Sequence, residues 1–145
     1  MFKKILIANR GEIAIRIAKT ARRMGISTVA VYSDADKDAL HVATSDEAYC
    51  IGASTPTESY LNIERVIDAA VKSGSEAVHP GYGFLSENAN FSKILEENKI
   101  KFIGPSSKLI KMMGDKIEAK KVAKKYGLPV IEGSEGGVSN LTQAK

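Results

Sequence analysis

Short apolar runs alternate with longer amphipathic stretches along most of this chain. Ile5–Ala8 predicts a strand and Glu12–Met24 a helix, in which Ile13, Ile17, Ala21 and Met24 recur at three- and four-residue steps. Gly25 suits the left-handed cap that closes such a helix. Thr28–Tyr32, rich in β-formers, predicts a second strand, Lys37–Thr44 a short helix, and Ala48–Ile51 a third strand. After a loop containing Pro56, Asn62 is placed to cap a helix running through Val66, Ile67 and Ala70. Ala77–His79 predicts strand four. Asn88–Glu97 predicts a helix with Phe91, Ile94 and Leu95 inward, stopped by Asn98, and Phe102-Ile103 predicts strand five. Such alternation argues for an α/β fold: a Rossmann-like open parallel sheet of about five strands, with helices on both faces.

Beyond Gly104 the pattern changes. Ser106–Met113 reads as a short helix, and Asp115-Lys116-Ile117-Glu118 resembles a capping box opening a further helix to Tyr126, closed by Gly127. Pro129 begins an extended run. From Glu132 to Lys145 there are three glycines, no clear period and little to bury, so this tail is expected to be the least stable part. Three units follow: a domain over 1–114, a helical link over 115–131, and the unfinished start of another unit over 132–145. The chain reads as a piece of a longer one.

Composition sets limits on these elements. The 145 residues, 43% apolar and 26% charged, suit one well-buried core and do not suggest disorder. The net charge of +4 is spread evenly, +2 over 1–114 and +2 over 115–145. With no basic block and no interleaving of aromatic and basic residues, a nucleic-acid surface is not expected, and mild attraction to small anions is. Cys50 is the only cysteine. It has no disulfide partner within the chain, belongs to no cluster of metal ligands, and reads as a buried strand residue rather than a nucleophile. The N-terminal apolar run is four residues long, too short for a secretory core or a membrane span, so the cytoplasm is the expected compartment.

The richest candidate chemistry lies between residues 76 and 91. The fourth strand stops at His79-Pro80, and Gly81 and Gly83 then bracket Tyr82. Ligands of α/β proteins sit beyond the carboxyl ends of strands, so this loop reads either as a contact site presenting Tyr82 or as a turn of unusual composition. His79 reads either as a proton carrier near neutral pH or as a structural residue, and His41 as surface or packing. The turn Ala8-Asn9-Arg10-Gly11-Glu12 carries one glycine where a dinucleotide fingerprint needs three, and Asp34, 23 residues past Gly11, is weak support for one. In Met113-Gly114-Asp115-Lys116 a lysine opposes the positive end of a helix. It reads either as an anion-binding group sharing a phosphate with helix N–H groups or as a solvated surface lysine.

Four strings carry a resemblance to a known family. Ile7-Ala8-Asn9-Arg10-Gly11-Glu12-Ile13-Ala14, Ser59-Tyr60-Leu61-Asn62, the run from His79 to Asn88, and Met113-Gly114-Asp115-Lys116 closely resemble the N-terminal part of biotin carboxylases, in order and in spacing. The similarity is greatest to the biotin carboxylase subunit of acetyl-CoA or propionyl-CoA carboxylases, and pyruvate and methylcrotonyl-CoA carboxylases share the strings. The resemblance implies an ATP-grasp ligase using ATP, Mg2+ and biotin. Bicarbonate is activated as carboxyphosphate, and the released CO2 is captured by the ureido nitrogen of carrier-linked biotin. It further implies a carboxyltransferase partner subunit and a homo-oligomer. On this resemblance Lys116 matches the lysine that holds ATP phosphates, Tyr82 and Gly83 the biotin-facing loop, and His79 and Phe84 its supports. Residues 115–131 become the link into the ATP-grasp and 132–145 the start of its lid. No catalytic residue or metal ligand is expected within the chain, which should be inactive alone. The competing reading is a non-catalytic nucleotide-sensing or scaffolding domain on the same fold.

Overall fold

The computed structural model describes residues 1–131, and the expectations for 132–145 lie outside the described residues. Five strands form one all-parallel sheet: β1 (Lys4–Ile7), β2 (Ser27–Ser33), β3 (Glu47–Gly52), β4 (Ala77–His79) and β5 (Lys101–Phe102), in the order β3-β2-β1-β4-β5. Between them lie helices α1 (Gly11–Arg23), α2 (Leu40–Ala43), α3 (Ile63–Lys72) and α4 (Ala89–Glu97), with α5 (Ser107–Gly114) and α6 (Lys116–Lys125) after the sheet. A 3-10 turn at Asp34–Asp36 follows β2, and another at Pro56–Glu58 follows β3.

Alternation along β1 divides the core. Leu6 and Ala8 join Val29, Val31 and Val78 under α3 and α4, which contribute Val66, Ala70, Phe91 and Leu95. Ile5 and Ile7 face α1 instead, against Ala14, Ala18 and Ala21. A strand apolar on both faces is what a central parallel strand requires.

The expected stripe on α1 is displaced. Its buried residues are Ala14, Ala18 and Ala21, whereas Ile13 and Ile17 are half-buried and Met24 is 52% exposed. The small alanines occupy the buried face, and the larger side chains flank a groove of about 480 Å³ with Phe2, Ile26 and Ile103. Cys50 is also corrected: it lies in a strand but is exposed. β3 is the edge of the sheet, and its buried side chain, Ile51, points to the opposite face from Cys50. His41 is a packing residue, buried with Nε2 3.2 Å from the Val31 carbonyl.

The helix ends obey the local chemistry expected of them. Asn62 and Asn88 accept from the N–H groups of Arg65 and Phe91. Asp115 caps α6 through the N–H groups of Ile117 and Glu118. Only half the capping box forms, because the Glu118 carboxylate pairs with Lys121 at 2.8 Å.

Candidate functional site

The chain leaves β1 in one direction to build β2 and β3, and β4 and β5 add to its other side. The loops after β1 and β4 therefore meet at the point where the strand order reverses, the position at which open α/β sheets bind ligands. Ile7 pairs with His79 across the two strands, and the Ala8 N–H donates to the His79 carbonyl at 2.9 Å.

Asn9 fastens one loop to the other. It is 3% exposed, and its Nδ2 donates to the carbonyls of Pro80 and Tyr82, both at 2.8 Å. Its Oδ1 accepts from the Arg10 N–H at 2.9 Å. Gly81, at φ +66°, lies so close that a Cβ there would stand 2.7 Å from Asn9 Nδ2. Asn9 stands in the first strand-to-helix turn, where a dinucleotide fingerprint carries glycines, and its side chain is tied to the neighbouring loop. This explains how the fold can resemble a nucleotide binder's while its first turn does not.

The other half of the loop faces solvent. Tyr82 is 63% exposed, and its hydroxyl donates to Glu12 Oε2 at 3.3 Å. Gly83, at φ +67°, presents its Cβ direction to open space. Phe84 also has a left-handed backbone, φ +39°, which is costly for a residue with a side chain. Its ring stacks on Tyr60 with centroids 5.0 Å apart and planes at 16°. The Arg10 guanidinium stands 5.6 Å from the Tyr60 centroid and 5.9 Å from that of Phe84. Leu85 is buried in the core, and the Ser86 N–H closes the turn onto the Gly83 carbonyl.

Electrostatics sharpen these assignments. His79 Nδ1 accepts from the Gly81 N–H at 3.0 Å, and burial holds the imidazole pKa below its usual 6.5. The neutral ring therefore supports the turn. Asp36 accepts from Tyr60 at 2.7 Å, from Ser33 Oγ at 2.9 Å and from Arg10. Burial works against its charge, but the hydrogen bonds from Tyr60 and Ser33 and the Arg10 charge outweigh this and lower its pKa. Burial, then the bond to Asp36, raises the Tyr60 phenol, which stays protonated as a donor.

Tyr82, Gly83, His79 and Phe84 are thus brought together on one loop. Lys116 belongs elsewhere, exposed on the first turn of α6, with its neighbour Asp115 as the cap. The residues that sequence reasoning missed are Asn9, Arg10, Asp36 and Tyr60. Asn9 and Arg10 registered as bulky replacements for glycines, and Tyr60 registered only as part of a string. Asp36 carried no signal, since Tyr60 and Arg10 lie 24 and 26 residues from it. Among the described residues no group of three or more His, Cys, Asp or Glu side chains could hold a metal ion, and no helix is long and apolar enough to cross a membrane.

A five-stranded parallel sheet with a clamped, aromatic-bearing loop at its switch point defines an open α/β ligand-binding domain. The family model "Biotin carboxylase, N-terminal domain" matches residues 1–110, and the chain belongs to that family. It is 51% identical to biotin carboxylase 1 of Bacillus subtilis over 99% of its own length and 32% of the relative's. To the propionyl-CoA carboxylase alpha chain of Ruegeria pomeroyi it is 53% identical, again over 99% of this chain but 21% of the relative. Among solved structures it superposes on the biotin carboxylase domain dimer of Hydrogenobacter thermophilus 2-oxoglutarate carboxylase, in complex with MgADP, ADP and bicarbonate. That match has a TM-score of 0.95 and 49% identity, covering 99% of this chain and 32% of that one. The chain spans about a third or less of the length of these relatives.

Proposed function

We propose that this chain is the opening domain of an ATP-dependent biotin carboxylase, which carboxylates carrier-linked biotin with bicarbonate to feed the carboxylation of acetyl-CoA or propionyl-CoA. The observation that carries this reading is the Tyr82–Gly83 turn at the sheet's switch point. It offers an exposed ring beside a backbone position free of side-chain bulk. A flat, neutral ureido ring can lie against such a surface at close range. Among the described residues, Tyr82 and Gly83 hydrogen-bond with Asn9, Glu12 and Ser86 and with no cationic side chain, so the loop suits biotin better than a polyphosphate.

His79 and Phe84 hold this turn in shape, and Lys116 is the residue assigned to the ATP phosphates. Residues 1–114 form the domain, 115–131 the link into the ATP-grasp, and 132–145 the start of its lid. The link shows Ile117, Tyr126, Leu128 and Ile131 to solvent, as a segment that packs on further protein would. ATP, Mg2+ and biotin act in the complete, cytoplasmic, homo-oligomeric enzyme, beside a carboxyltransferase subunit. The full-length subunit should hydrolyse ATP only with bicarbonate present, and faster when free biotin is added. ATP turnover indifferent to both would overturn the assignment.

A further inference from the structure

We infer that Asp36 is a positioning residue for the biotin-facing turn, acting through Tyr60, Arg10 and Phe84. The inference rests on the reading of Tyr82 and Gly83 given above and adds to it a residue from a different part of the sheet. Asp36 ends the 3-10 turn after β2, where Ser33 Oγ donates to Oδ2 at 2.9 Å and fixes the carboxylate. The same oxygen receives the Tyr60 hydroxyl at 2.7 Å, while that hydroxyl accepts the Ser33 N–H at 3.2 Å. The other oxygen lies 3.3 Å from Arg10 Nη1. One carboxylate thus orients a buried phenol and a guanidinium together.

Both of those groups bear on Phe84. Tyr60 stacks on its ring, and Arg10 stands within 6 Å of both ring centroids. Phe84 needs such support, because its backbone is left-handed at φ +39°. A residue with a side chain holds that conformation only when its surroundings over-determine it. Phe84 follows Gly83 directly, so the angle at Phe84 sets the direction in which Gly83 and Tyr82 leave the core. Asn9 secures the Tyr82 carbonyl from the opposite side. If the Asp36 contacts are lost, the ring can swing and the turn can relax, although nothing touching the ligand has changed.

The test uses the full-length subunit, with KM for free biotin and for ATP measured side by side and with Tyr82→Ala as the reference. Asp36→Asn keeps the shape and an acceptor for Tyr60 but removes the charge that holds Arg10. Tyr60→Phe keeps the stacked ring and removes its tether. Each should raise KM for biotin about tenfold, the worth of one charge-assisted contact, and leave KM for ATP within about twofold. A purely structural role would move both constants together, and that result overturns the proposal. So does an unmoved biotin KM in both variants while Tyr82→Ala raises it. An unmoved biotin KM in Tyr82→Ala itself refutes the underlying reading of the loop, and the proposal falls with it.

Discussion

Replacing Asn9 by aspartate changes one donor group into an acceptor and leaves the size of the side chain almost unaltered. In the native turn Nδ2 sits 2.8 Å from two carbonyl oxygens, that of Pro80 buried and that of Tyr82 partly so. A net hydrogen bond contributes about 1 kcal/mol, and a buried carbonyl left without a donor costs about 1–3 kcal/mol. Water can reach the Tyr82 carbonyl more easily than that of Pro80, so Asn9→Ala should cost about 3 kcal/mol in all. Asn9→Asp should cost more at neutral pH, because a carboxylate oxygen would then face two carbonyl oxygens at contact distance. Burial and those two carbonyls would raise the new carboxyl's pKa above its value in the unfolded chain. Stability of Asn9→Asp should therefore recover as pH falls through that raised pKa, and only in part, since one proton can serve only one of the two carbonyls. Urea unfolding followed by circular dichroism, at several pH values, measures this on the 145-residue chain. The reasoning is refuted if Asn9→Asp matches the wild type at neutral pH, or if acid weakens it in parallel with the wild type.

The two loop glycines should differ. Both have positive φ, so alanine at either costs about 1–2 kcal/mol of backbone strain, but only at Gly81 does the new Cβ also meet Asn9, and thermal unfolding should rank Gly81→Ala as the less stable. Equal melting temperatures would contradict the clamp. His79 has a folded-state pKa depressed by burial, so its neutral form is the one the fold accepts. Stability should be intact above pH 6.5, where the unfolded ring is also neutral, and should decline below it until the folded ring protonates. A urea midpoint for His79→Gln that loses this mildly acidic slope is the expected result; identical slopes would refute it. Lys116→Ala in the full-length subunit should weaken ATP binding by about ten- to a hundredfold, equivalent to roughly 1.5–3 kcal/mol, and an unchanged apparent ATP constant with the fold intact would remove the assignment.

The sheet was legible because its inner strands, β1, β2 and β4, are buried on both faces and its helices carry apolar periodicity, two signals that survive without tertiary information. Strand four was placed correctly at Ala77–His79, where Pro80 ends it. The α1 stripe was misplaced because periodicity weights Ile13 and Met24 above Ala14 and Ala18, whereas the buried face of this helix is occupied by its alanines. Cys50 was misjudged because a β-rich string does not say which strand will lie at the edge. The turn from His79 to Phe84 could be seen from its glycines, but the clamp around it could not. Arg10, Asp36 and Tyr60 are separated along the chain and meet only when the loops after β1, β2 and β3 gather at the same end of the sheet. Their chemistry is that of ordinary polar residues until the fold makes them neighbours.

The assignment of the Tyr82–Gly83 turn to biotin rather than ATP is tested most directly by Tyr82→Ala in the full-length subunit, with KM for free biotin, KM for ATP and the melting temperature taken on one preparation. Tyr82 is exposed, and among the described residues its side-chain hydrogen bond runs to a solvent-facing glutamate, so truncation should leave the melting temperature nearly unchanged. The predicted result is a raised biotin KM beside an unaltered ATP KM. A lowered melting temperature, with both constants rising together, would contradict it and leave this loop as a turn that ends β4.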